Sequence, residues 1–150
     1  MSDSLATMLE LAARQRDIAR AALMQAEGAS NRALAQLDQL TAYQAEYRTR
    51  APGRAGMAAP IELLRCHQGF MGRLDQALLQ QREAVKTADT ELHRRRQHLQ
   101  QTELHVASVQ KLIERRHAEH ARVEARREQR QTDESAMLRH RHGGGLDPTD

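Results

Sequence analysis

Tryptophan is missing, phenylalanine occurs once, and aromatic residues make up 2% of the 150-residue chain. With so few large rigid side chains a three-dimensional globular core cannot be filled. A single cysteine, Cys66, excludes an internal disulfide framework and points to a reducing compartment. No stretch approaches the roughly 20 apolar residues of a membrane span. The N-terminus also lacks a basic segment followed by an apolar run of signal-peptide length, so a soluble cytoplasmic chain is expected. Proline and glycine are scarce outside residues 51–60, and neither interrupts the long stretch between Gly72 and Gly143.

What fills the space between these absences is helix. From Leu64 a register spaced alternately by three and four residues picks up Met71, Leu74, Leu78, Val85, Ala88, Leu92, Leu99, Val106, Val109, Ile113 and Val123. Apolar residues at that spacing, set among Gln, Glu, Arg and His, make a narrow seam that only another helix can bury. A second register runs earlier, through Leu5, Leu9, Ala12, Arg16, Ala19, Leu23, Ala26, Ser30, Ala33, Leu37, Leu40, Gln44 and Tyr47. It is rich in alanine, which lets a partner backbone come close, with Arg16 and Ser30 as soft spots. Ser2, Asp3 and Ser4 offer side-chain oxygens to the free amides of its first turn.

Between the registers lie Pro52, Gly53, Gly56 and Pro60. Pro52 disfavours helix at Ala51, whereas Pro60 suits the entry to a new helix. The expected fold is all-α: a long antiparallel two-helix coiled-coil hairpin, with helix 5–50, turn 51–60, helix 61–139 and a flexible tail 140–150 forming a single coiled-coil domain. At roughly 1.5 Å per residue the arms measure about 70 Å and about 115–120 Å, so the second helix overhangs the first. If pairing starts level at the turn, Leu5 falls opposite the neighbourhood of His105. Val106, Val109, Ile113 and Val123 are then left without an intramolecular partner, a surface for a second protein or for self-association.

The formal charge is +3. From Arg94 to Arg130 ten Lys/Arg stand against five Glu, which permits an acidic partner or nucleic acid but also suits a solvated coiled-coil flank. His117 and His120 share a helical face, yet no second cysteine or carboxylate cluster completes a metal site. Gly143, Gly144 and Gly145 have no following helix and no Lys-Ser/Thr pair, so they are not a phosphate loop. A two-helix rod has no cleft for nucleophilic catalysis. The expectation is a non-enzymatic protein with no cofactor and no metal.

Just after the turn, Ile61, Leu63, Leu64, Phe70, Met71, Leu74 and Ala77 cover more than one stripe. Phe70 either folds over the hairpin tip as a local cap or recognises a partner. Here the sequence resembles a known family. Leu5-Ala6-Thr7 with Leu9 and Leu11-Ala12, then Gln39-Leu40, Tyr43-Gln44 and Glu46-Tyr47-Arg48, resemble the first helix of the FliJ family of bacterial flagellar type III export proteins. His67-Gln68-Gly69-Phe70-Met71 and Leu74 resemble the start of its second helix. The similarity is specific over residues 5 to about 85 and generic coiled coil beyond.

The resemblance implies a small component at the cytoplasmic face of the inner membrane. Family members form a coiled coil like the central stalk of rotary ATPases. They insert into the export ATPase hexamer and promote its assembly, bind the cytoplasmic domain of the export gate, and handle empty export chaperones. The family's gate contact matches Phe70, Leu74, Ala77 and Gln81, where Gln81 departs from the His of relatives. The overhang, with Arg115, Arg116, Arg122, Val123 and Arg126, is the candidate ATPase contact. The alternatives are the equivalent stalk of a virulence type III secretion system and a nucleic-acid-associated coiled coil. The Tyr-Gln-x-Glu-Tyr-Arg match favours the flagellar system, and the lack of aromatic stacking residues argues against nucleic acid.

Overall fold

The structure is a computed structural model that describes residues 2–53 and 58–143. It is built from two helices, α1 (Ser2–Thr49) and α2 (Ile61–Gly143), with no strand among the described residues. They run antiparallel as a two-helix hairpin, and their contacts divide the chain into two compact units, one of residues 13–104 and one of residues 1–12 with 105–150.

Sequence dictates where the helices stop. α1 ends as its ladder loosens: the Arg50 amide donates to the Glu46 carbonyl at 3.2 Å and the Ala51 amide to Arg48 at 3.4 Å, just ahead of Pro52. Gly53 then takes a positive φ of 81°, a conformation open to a residue without Cβ. Pro60, which has no amide to lose, leads into α2, and its carbonyl accepts from the Leu64 amide at 3.1 Å. Residues 54–57, within the expected turn, lie outside the described residues. α1 begins at Ser2, three residues before the expected start, so Asp3 sits within its first turn. α2 runs four residues past the expected end, and its last turn holds His140, Arg141 and His142, cations suited to a helix C-terminus. The remainder of the expected tail, residues 144–150, lies outside the described residues.

In the unit of residues 13–104 both registers face inward. Ala19, Ala26 and Ser30 of α1 and Leu74, Leu78, Leu92 and Thr102 of α2 are buried. Arg16, Leu23, Ala33, Leu37, Leu40 and Gln44, and on α2 Leu64, Met71, Val85, Ala88 and Leu99, are half-buried beside them. Polar side chains cross between the helices. Gln44 Nε2 donates to Asp75 Oδ1 at 2.7 Å, Gln81 Nε2 to the Ala33 carbonyl at 2.9 Å, and His67 Nε2 to the Tyr47 carbonyl at 2.9 Å. Arg20 reaches Glu103 at 3.8 Å. Small residues of α1 (Ala19, Ala26 and Ala33) and branched aliphatic residues of α2 (Val85, Leu92 and Leu99) thus make up the two faces of one seam.

The same cross-links correct the expected stagger. The Tyr47 carbonyl, near the end of α1, is met by His67, so about the first turn of α2 extends past the end of α1. The expected pairing with level ends is therefore shifted along α2.

The unit formed by residues 1–12 and 105–150 has a packed cluster of its own. Ala12, Val106 and Val109 form its buried cluster, with Leu9 and Ile113 packed against it and Leu5 7% exposed. Val106, Val109 and Ile113 are therefore covered by α1 and offer no free apolar seam, contrary to the expectation. Every residue from Glu114 to Gly143 is exposed, so α2 does continue without a partner, but from a later point.

Candidate functional site

Two surfaces carry the residues singled out in the sequence, one in each unit. In the unit of residues 13–104, Phe70 flanks the seam while Leu74 and Gln81 lie within it. The seam positions 67, 71, 74, 78 and 81 turn toward α1, and Phe70 falls one step aside. Phe70 is 36% exposed, and its ring meets Tyr47 with centroids 4.7 Å apart at an interplanar angle of 55°, a tilted pair. Leu74 is 7% exposed and belongs to the core. Ala77 is half-buried, and Gln81 spends its amide on the Ala33 carbonyl. Of the four, Phe70 alone presents a large exposed apolar surface. Around it Ile61, Leu63, Tyr43 and Tyr47 are exposed too, and so is Cys66, one turn before Phe70.

Gln81, a gate-contact candidate by resemblance, also holds a seam position that the apolar register does not show. His67, Gln81, Arg95 and Thr102 continue the three-four spacing of α2, and all four are at least half-buried. A search for apolar residues skips them. The signal was the spacing itself, which points to polar side chains that bond across the seam or back onto the helix. Thr102 does the latter, donating to the Leu99 carbonyl at 2.8 Å.

The second surface belongs to the unit of residues 1–12 and 105–150. Where α1 begins and α2 runs on, a groove of about 980 Å³ opens between them. Leu5, Ala6, Leu9, Ile113 and Val123 supply its apolar lining, and Arg116, Arg122, Arg126, His117, His120, Asp3 and Glu119 its polar groups. Four of the five proposed ATPase-contact residues thus come together there; Arg115 does not line it. A simple hairpin was expected to have no cleft, and the groove arises because α1 ends while α2 does not. His117 and His120 both reach it, and among the described residues no three metal-ligating side chains cluster.

Charge is handled differently along α2. Up to Glu103 cations find carboxylates: Lys86 with Glu83, Arg94 and Arg95 with Glu91, Arg20 with Glu103. Beyond Glu103 no ion pair forms among the described residues, although α2 carries eight arginines between Arg115 and Arg141. Those arginines are exposed, and among the described residues none of them forms an ion pair. No described helix is long and apolar enough to cross a membrane.

The family model of the flagellar FliJ protein matches residues 1–145. The chain belongs to the flagellar FliJ family. That match reaches well beyond the first 85 residues in which the motifs are specific, and takes in both surfaces. No curated protein and no solved structure matches the chain. Membership in the FliJ family gives it a role related to flagellar type III protein export. It also sets the flagellar reading ahead of the virulence-type stalk.

Proposed function

We propose that this protein is a non-enzymatic, cytoplasmic stalk of the flagellar export apparatus. In this reading it engages the export ATPase hexamer, promotes its assembly, and couples it to the export gate and to export chaperones at the inner face of the membrane. The observation that carries the proposal is the contrast within α2: a segment packed on α1 as far as Ile113, then an exposed helical arm whose arginines form no ion pair among the described residues. A zipped pair supplies stiffness and the free arm supplies a binding surface. To promote ring assembly, the arm must bind subunits more favourably when they are assembled, because a ligand shifts an equilibrium only by its differential affinity.

The gate contact is proposed to centre on Phe70. Ala77 lies beside it, and Leu74 and Gln81 hold the presenting helix in place through the seam. Phe70 and Tyr47 together offer an aromatic ridge to a partner groove, the pattern of a helix read through side chains a turn or two apart.

Truncation after Arg115 provides the test. The truncated protein is expected to remain helical and to bind a purified gate cytoplasmic domain, while losing stimulation and assembly of the purified export ATPase. Undiminished ATPase stimulation would sink the stalk reading for this arm.

A further inference from the structure

We infer that the groove between the start of α1 and the free arm of α2 receives one short acidic amphipathic helix from a partner protein, which packs there as a third helix. The inference deepens the export reading and rests on it for the existence of a partner at this end. It adds the chemistry of what binds.

The groove selects its occupant by two features. Its apolar lining on α2 is Ile113 and Val123, about 15 Å apart along the helix with polar side chains between them, and Leu5 and Leu9 face them from α1. Val123 is 49% exposed, so an apolar surface remains to be covered. Ten residues of helix with apolar positions three and four apart match that length. Beside Val123, Arg122 and Arg126 stand one turn apart, and neither forms an ion pair among the described residues. Carboxylates flanking the occupant's apolar stripe would meet them as charge-assisted hydrogen bonds. Asp3 and Glu119 are also in the lining, and they disfavour an occupant that is acidic all round.

Charge also decides against the other occupants. A second copy docking through the same groove would set Arg116, Arg122 and Arg126 against their own equivalents. A nucleic acid would leave the leucine floor uncovered and would find no aromatic side chain to stack on.

The probe is a capped, fluorescent helical peptide of about four turns, with leucine at three-four spacing and glutamate flanking it. It is titrated against the full chain by anisotropy. Saturable binding is expected, weakened about tenfold or more by Arg122→Glu with Arg126→Glu and similarly by Val123→Glu. Arg139→Glu with Arg141→Glu makes the same change in net charge outside the groove, and is expected to leave binding within about twofold. All these positions are exposed on the free arm, and circular dichroism checks that each variant stays helical.

Several results would overturn the inference: equal weakening by the outer pair, equal binding of a lysine-flanked peptide, tighter binding of a single-stranded oligonucleotide that displaces the peptide, or self-association in sedimentation that Val123→Glu abolishes. The export reading is separated by a parallel measurement with the purified ATPase. If the Arg122→Glu, Arg126→Glu variant loses the peptide yet engages the ATPase like wild type, the groove chemistry stands and the ATPase is not its occupant.

Discussion

Phe70 and Leu74 are four residues apart and do different jobs, which substitution separates. Phe70→Ala removes a tilted aromatic pair with Tyr47, a loss of about 0.5–1.5 kcal/mol beyond the buried area involved. A small fall in melting temperature is expected together with a marked loss of affinity for the gate domain. Wild-type affinity in that variant would return Phe70 to a cap on the hairpin tip. Leu74→Ala empties a buried seam position and should cost about 2–4 kcal/mol, so any binding it loses reflects the scaffold as much as the contact. The buried alanines make the opposite case. Ala19 is 2% exposed within the seam, and Ala19→Leu is expected to destabilise by about 1–3 kcal/mol because the helices must move apart. If chemical denaturation shows Ala19→Leu to be neutral, that layer is looser than described.

The helices were legible in the sequence because burial in a two-helix seam has one period. Leu5, Ala12, Ala19, Ala26, Ser30, Leu74, Leu78, Leu92, Val106 and Val109, all on the expected registers, are buried. Their stagger was not legible. It depends on how the connection folds and on single bonds such as Gln44 to Asp75, and no periodicity encodes those. A slip of a heptad preserves every apolar layer, so the register alone could not place Leu5 beside Ile113 rather than His105. The groove follows from that stagger and is hidden with it, although the sequence alone points to the arginines and Val123 that line it. Two substitutions test the element scale by thermal melting. Leu92→Glu buries a charge and is expected to cost about 3–5 kcal/mol, whereas Glu91→Lys, which gives up partly exposed pairs with Arg94 and Arg95, should cost about 1 kcal/mol or less. Gly72 has open space where a Cβ would stand, so Gly72→Ala should stabilise α2 by about 0.5–1 kcal/mol.

Taken as a whole the chain keeps its folding and its charge largely separate. Its seam is held by aliphatic packing and a few cross-helix hydrogen bonds, and its ion pairs are exposed or partly so. Raising salt from low to about 0.5 M is therefore expected to shift stability by about 1 kcal/mol or less, while binding through the arginines of the free arm weakens steeply. Denaturation and anisotropy run over the same salt series would show the two trends diverging, and a parallel decline would contradict the separation. The scarcity of aromatic residues has a practical consequence for such measurements. Tyr43, Tyr47 and Phe70 are the chain's entire aromatic complement and Cys66 is its sole thiol, and all four belong to the end of α1 and the start of α2. Tyrosine emission, with no tryptophan to drain it, and any maleimide dye will report from the hairpin tip. The arginine arm is optically silent until a chromophore is placed on it.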